Sequence, residues 1–426
     1  MFSEYKLSAQ TGDLNLSHNY ETAMPEPVAN NAVCADPIGG KIYSFSGIDS
    51  TLSHSGIHLK SWRYDIQSST WESLPDLPDT LGKVAAAASY INDIIYIVGG
   101  YHVFPNGSEV SSKRVHRFDC VGDTFMTDAA DLPLAIDDHV QSVWRDSLLF
   151  VITGWSNNGN KNTVQIYDPN TNTWTIDYYI WNQTIYSSFG ASGTIVGDKI
   201  YYLGGARFGA NFPLQNYMRT GQINPSDLSD IQWSDTLLPN KGLYRAACIH
   251  TGGALVPQDQ AMWLGGSSTT YNYDAVAYNG SGVVSPSRKI QLLEGDSVKT
   301  YTNKALLMDY RGAVVHGSTI YLCGGIDSNA HVSNQLLRLV QVVPDGIGRE
   351  SDHANTITIY PNPGTERISF RCTEKVVKAE AIDKLGAITP LIIRGNMLNI
   401  DELPNGSYIL RLNTSEGQRL AHFVKH

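Results

Sequence analysis

The sequence predicts an all-β protein, a six-bladed β-propeller followed by a small β-sandwich. Three observations carry this. An aromatic-Asp pair recurs seven residues before a second aromatic. An apolar strand pattern ending in glycine recurs six times at near-constant spacing. Past residue 345 the composition changes, and short alternating strands replace the repeats.

The first signal is clearest in "YDPNTNTW", residues 167–174. Pro169 fixes its own φ and has no N–H for a ladder, while Asn170 and Asn172 tolerate left-handed backbone. Tyr167 and Trp174 suit a pleated surface. The stretch therefore reads strand, tight turn, strand. "YDIQSSTW" repeats it with Tyr64-Asp65 and Trp71, and "FDCVGDTF" with Phe118-Asp119 and Phe125.

The second signal places an aromatic four residues before a glycine in "YSFSG", "YIVGG", "FVITG", "YYLGG" and "YLCGG", with Met262 in the aromatic place of "MWLGG". The closing glycines are Gly47, Gly100, Gly154, Gly205, Gly266 and Gly325, separated by 53, 54, 51, 61 and 59 residues. A period near 50 with several strands per unit is the signature of propeller blades. These residues resemble the Kelch repeat, over residues 14 to 345. The outer-strand signal fades late: the fourth unit keeps Trp233 without the Tyr-Asp pair, the fifth has Tyr278-Asn279 without Trp, and the sixth has neither.

A propeller must join its last blade to its first or leave open strand edges. The sixth unit ends at "LLRLVQVVPDG" with no fourth strand, and the N-terminus holds a surplus. "LSHNYETAMPEPVANN" aligns with "STWESLPDLPDTLGKV" when Met24-Pro25 overlies Leu77-Pro78. Residues near 14 to 22 are therefore expected to complete the sixth blade.

The chain has 426 residues, enough for a propeller (1–345), a polar linker (346–355) and a second domain (356–426). Net charge of −10 disfavours nucleic acid and anionic membrane as partners. No apolar run approaches the ~18 residues of a membrane span. The five cysteines, Cys34, Cys120, Cys248, Cys323 and Cys372, show no metal-ligand spacing, so no metal and no cofactor are expected. "MFSEYKLSAQ" has no apolar core of the kind an export signal needs.

The tail opens with "TITIYPNPGTERISF", a strand, a Pro-Asn-Pro turn and a second strand. Asp383 and Gly386 mark a hairpin turn, and Asn405-Gly406 another. Roughly 70 residues of short strands argue a β-sandwich. The tail resembles the type A C-terminal sorting domain of the type IX secretion system. Tyr360-Pro361-Asn362-Pro363, the Asp383 to Gly386 turn, Leu403 through Gly406-Ser407-Tyr408, and Phe423-Val424-Lys425 carry the resemblance. It implies that residues 356–426 engage the secretion machinery, and that the protein is secreted to the extracellular space or the outer-membrane surface.

In a four-stranded blade, the loop after each Gly-Gly shares one end of the ring with the start of each innermost strand. That mouth gathers Asp49, His102, Trp155, Arg207 and Asp327 with Asn31, Lys83, Asp138, His139, Tyr244, Arg245, Tyr310 and Arg311. It reads as cationic and aromatic. Arg245 and Arg311 hold equivalent places in neighbouring blades, and Arg offers a planar donor fork for carboxylate or phosphate. Tyr244, Tyr310 and Trp155 offer faces for a sugar. The competing structural reading pairs each Arg with a neighbouring blade.

Other constellations are sparse. No GxSxG or HExxH occurs, and the Asp137-Asp138-His139 run fits a solvated loop as well as a base with its orienter. Three functions follow: a carbohydrate- or protein-binding module at the mouth, an enzyme, or a structural interaction platform. For the enzyme, "MPEPVANNA" and the six units weakly resemble the N-acetylneuraminate epimerases (sialic acid mutarotases). That resemblance implies that the Arg pair holds a sugar carboxylate while Asp138, His139 or His102 moves the proton. The expected ligand is a glycan, with an acidic sugar favoured over a neutral one, or a protein.

Overall fold

The computed structural model describes residues 14–36, 39–177, 183–251, 259–295, 297–341, 358–371, 375–383, 387–414 and 417–425. The chain divides into two compact units, Met1–Val343 and Pro344–His426. The expected linker, 346–355, and Cys372 lie outside the described residues.

Six antiparallel sheets build the first unit. Blade 1 runs Ala32–Asp36, Lys41–Ile48, Ile57–Asp65, Thr70–Leu74, from inside outward. Blade 2 has Val84–Ile91 innermost and Thr124–Phe125 outermost, and a short extra strand, Glu109–Ser111, pairs with Ile94–Val103. Blades 3, 4 and 5 begin with Val140–Trp144, Ser192–Val196 and Ala247–His250. The innermost strands of blades 1 to 5 pack each on the next, a bridge between Ala32 and Arg311 joins blade 6 to blade 1, and an apolar cluster joins blades 5 and 6. Outer strands are present where the sequence signal fades: Asp227–Leu237 in blade 4 and Ser297–Thr302 in blade 5.

The repeated motif has a direct physical reading. Tyr64 stands opposite Trp71, Tyr167 opposite Trp174 and Phe118 opposite Phe125 across the third and fourth strands. Their ring centroids lie 5.1, 4.9 and 5.1 Å apart. Such cross-strand pairs fix register on a sheet face. The Asp after each first aromatic caps the turn: Asp65, Asp119 and Asp168 accept from the backbone N–H of Ser68, Val121 and Asn170. The six closing glycines all have φ between +72 and +117°. A side chain there would be strained, and at Gly100 a Cβ would also meet the Val84 carbonyl at 2.8 Å.

Blade 6 contributes Val314–His316, Thr319–Cys323 and Leu336–Gln341, and its fourth strand is Leu16–Tyr20. The register runs from Leu16 opposite Gln341 to Tyr20 opposite Leu337. Leu14 and Leu16 bury their side chains in the apolar cluster between blades 5 and 6. The closure thus covers an edge and fills a core.

In the second unit, two four-stranded sheets enclose a core that includes Phe370, Leu398, Leu410, Leu412 and Phe423. Asn362 accepts from the Val424 N–H at 2.8 Å and donates to the His422 carbonyl at 3.1 Å, tying the Pro-Asn-Pro turn to the last strand. Tyr408 stacks on Phe423 and donates to the Pro404 carbonyl. Residues 384–386 of the expected hairpin turn lie outside the described residues; Asp383 accepts from the Ala387 N–H.

Deleting residues 1–23 should lower the melting temperature by on the order of 10 °C, because a blade loses its edge cover and two buried leucines. Differential scanning calorimetry checks this, and an unchanged transition would contradict closure by the N-terminal strand.

Candidate functional site

One residue at the start of each blade adopts left-handed backbone: Asn30, Ala85, Asp138, Gly190, Arg245 and Asp309, with φ of 54, 57, 48, 65, 48 and 67°. They are linked around the axis by hydrogen bonds. Asp138 N–H donates to the Ala85 carbonyl, Gly190 to Asp138, Arg245 to Gly190, Tyr310 to Arg245, and Asn30 to Asp309. The Ala85 N–H closes the ring on the Asn30 side chain at 2.6 Å. Left-handed backbone costs a non-glycine residue of order 1 kcal/mol or more, so five such residues mark a geometry that the surroundings enforce.

The side chains on this collar meet at the axis. The Arg245 guanidinium donates to Asp138 at 2.6 and 3.1 Å and reaches Asp309 at 3.4 Å. It packs against the Tyr244 and Tyr271 rings, 5.2 and 5.4 Å from their centroids. Tyr271 and Asn30 donate to the same Asp309 oxygen. Arg311 approaches Asp138 at 3.5 Å and donates to the His139 carbonyl at 3.0 Å. Arg245, Asp138 and Asp309 are each at most 1% exposed. Burial holds Asp309 up at about pKa 6 against the pull of Arg245. Burial, with the charge of Arg311, pushes His139 down to about 3, so its imidazole is neutral. His139 Nε2 contacts the Gln141 side-chain oxygen at 3.1 Å.

This ion cluster divides the axis in two. On one side a channel of about 260 Å³ runs between the innermost strands, lined by small residues such as Ala35, Ala88 and Ala247 and by His139 and Arg311. On the loop side lies a recess of about 90 Å³. Its walls are Tyr101, Trp155, Phe189, Phe212 and Tyr278, and its polar groups are Glu109, Asp137, Asp138 and Arg245. Phe208 stacks on Trp155 with centroids 6.1 Å apart and is 65% exposed at the rim.

These placements change the sequence reading. Arg245 and Arg311 do converge on one carboxylate, but it is Asp138 of the chain itself. Tyr244 and Tyr310 are buried, and the Tyr310 hydroxyl accepts from the Leu307 N–H. Asn31 is buried and donates to Ser44. Lys83 is fully buried against Asp79 at 2.7 Å and His116 at 3.0 Å, in a network with Arg114 and Asp128. His102 faces the Gly82 carbonyl beside that network. As placed, these side chains contact groups of the chain itself. Trp155 stays at the mouth, and Arg207 is exposed on the blade 4 loop. The mouth is therefore acidic and aromatic, not cationic. Glu109, Phe189 and Phe212 were missed because no motif marks them, and Tyr278, read with Asn279 as the aromatic pair of the fifth unit, lies instead on the loop before the strand Lys289–Glu294. Three of the four sit on the long loops that the Gly-Gly spacing does locate. Among the described residues no three His, Cys, Asp or Glu converge as metal ligands.

Folded Asp309 holds its proton more tightly than an ordinary carboxyl. Its stabilising contribution is complete below about pH 4 and is lost as pH rises through about 6. Asp309→Asn removes that titration. The stability of wild type minus that of the variant, from urea melts at pH 4 to 7, should fall as pH rises; a flat or rising difference would contradict the assignment.

Comparison with known proteins agrees with this architecture. Kelch motif models match residues 31–78 and 145–176, and a secretion system C-terminal sorting domain model matches residues 358–426. Kelch-like protein terF of Aspergillus terreus is 25% identical over 246 residues, 55% of this chain and 52% of terF. The Rab9 effector protein with kelch motifs of Bos taurus is 26% identical over 175 residues, 39% of this chain and 44% of its own. Kelch-like protein 36 of Mus musculus is 26% identical over 141 residues, 33% and 22% of the two chains. The chain thus spans about half or less of the curated relatives it matches. The solved structure of YjhT superposes with a TM-score of 0.59 at 15% identity, covering 76% of this chain and 98% of that one. At that identity the likeness speaks to the fold. The chain carries a Kelch-type propeller and a type IX secretion sorting tail. The tail indicates export to the cell surface or extracellular space and implies contact with the secretion machinery. Among the described residues no helix is long and apolar enough to cross a membrane.

Proposed function

We propose that this exported propeller is a binding module whose site is the aromatic mouth above the Arg245 cluster. The observation that carries the reading is the exposed Phe208–Trp155 stack at the rim of a recess with aromatic walls. A soluble protein gains nothing in stability from holding an aromatic ring two-thirds in water, and such a surface with polar groups at its base is the usual make-up of a recognition site. The partner is a carbohydrate face or a protein loop, both of which pack on exposed aromatic rings.

Turnover has less support. The mutarotase-like alternative needs Arg245 and Arg311 open to a sugar carboxylate, and both are committed to Asp138. It also needs Asp138, His139 or His102 to move a proton. Asp138 is paired with Arg245, and the other two face groups of the chain itself. The platform alternative places the contact on the outer faces of the blades and makes the mouth irrelevant.

A screen of the full chain on glycan and peptide arrays, followed by titration of the best ligand, separates these readings. Phe208→Ala should leave folding intact and weaken binding about 5- to 30-fold, and Trp155→Ala by more, as expected for lost aromatic contact area. If both variants bind like wild type, the mouth is not the site. Anomer exchange of sialic acid at its uncatalysed rate, followed by NMR in the presence of the protein, is the outcome expected for a binder.

A further inference from the structure

The recess at the mouth has an unbalanced charge. Four carboxylates gather on the axis and its loop side, Asp138, Asp309, Asp137 and Glu109, around Arg245 and Arg311. The two guanidiniums are taken up by Asp138 and Asp309. Among the described residues neither Asp137 nor Glu109 forms a salt bridge. Asp137 is 3% exposed and accepts from the Ser111 hydroxyl at 2.6 Å, and Glu109 accepts from the Asn272 amide at 3.2 Å. Burial, reinforced by the neighbouring Asp138 charge, raises Asp137 well above the usual carboxylate range. A buried carboxyl without a cation is costly, and a cation placed beside it offsets that cost.

The walls suit the same guest. Trp155, Phe212, Phe189 and Tyr278 border the recess that these carboxylates line, and aromatic faces attract a cation within about 6 Å. The recess, at about 90 Å³, has room for a head group rather than a whole sugar or side chain. Outside it, Phe208 and Val276, 65% and 40% exposed, offer apolar surface along which the stem and backbone of a chain can lie.

Resting on the mouth being the binding site, we propose that its ligand is a polypeptide that inserts the charged head group of a Lys or Arg side chain between Glu109 and Asp137 and the aromatic walls. Charge complementarity chooses the guest: an acidic sugar or a glutamate side chain would set a negative charge beside two carboxyl groups that lack a cation, whereas a cation favours their ionised forms. The inserted cation supplies the missing counter-charge, and the apolar rim holds the flanking residues.

The test is isothermal titration of the full chain with hexalysine and hexaarginine, with hexaglutamate as the opposite probe. The basic peptides should bind and hexaglutamate should not. Glu109→Gln, at an exposed residue that tolerates the change, should weaken the basic peptides about 5- to 30-fold, and Asp137→Asn similarly. Asp146→Asn removes the same charge from a turn on the opposite face, in left-handed backbone that Asn accepts, and should leave binding unchanged. Basic-peptide binding that ignores Glu109→Gln, or that falls equally with Asp146→Asn, overturns the proposal and reduces the effect to net charge. If Trp155→Ala abolishes binding of a neutral or acidic ligand that Glu109→Gln leaves alone, the mouth reading stands and the cation reading falls. If Trp155→Ala affects no ligand at all, the mouth reading itself falls.

Discussion

The structure depends on the collar at the start of the blades. Six sheets can be arranged about an axis only if something sets their number and spacing. Here each blade hands one backbone hydrogen bond to the next through a left-handed residue, and Asn30 lends a side chain to complete the circle. Arg245 then ties the collar across its middle by binding Asp138 from blade 3 and Asp309 from blade 6. A guanidinium is suited to this, since its planar fork serves two carboxylates at once. Tyr244 and Tyr271 pack against it from one side, as a perpendicular pair of rings.

This explains how one arrangement serves both fold and site. The ion cluster blocks the axis, so the loop-side recess and the strand-lined channel are separate spaces. With the axial arginines satisfied, the character of the mouth falls to its loops. These supply Trp155, Phe208, Phe212 and Tyr278 as apolar surface, and Glu109 and Asp137 as charge. The protein as a whole is acidic, and its open end is acidic too.

Much of the fold is legible in the sequence because the motifs are themselves physical devices. The aromatics seven residues apart are cross-strand neighbours, the Asp between them caps the turn, and the closing glycines sit where φ is positive. Asn362 and Tyr408 of the tail motif likewise make hydrogen bonds, Asn362 to the last strand and Tyr408 to the Pro404 carbonyl. The site was less legible for a specific reason. The topology places Asp138, Arg245 and Arg311 at one end of the ring, but whether they face solvent or one another depends on distances between blades, which local pattern does not encode. Lys83 is a similar case: Asp79 lies four residues back in the same connection, but His116 lies in another strand and only the folded sheet brings it near. The recess residues on the 104–110, 206–216 and 267–288 loops carry no period at all, so only the folded loops bring them together.

The central claim is that the axial arginines hold the propeller together and that recognition lies above them. A double-mutant cycle between Asp138 and Arg245 tests it most directly, by urea denaturation of the single variants Asp138→Asn and Arg245→Met and of the double variant. The account predicts that each single change costs about 3 to 5 kcal/mol, since it takes the nearest partner from a buried charge and leaves only the longer contact, Arg245 to Asp309 or Arg311 to Asp138. It also predicts that the double variant recovers 2 kcal/mol or more of the summed loss, as coupled groups do. Losses that simply add, or single variants as stable as wild type, would contradict it and return both arginines to the list of ligand-binding groups.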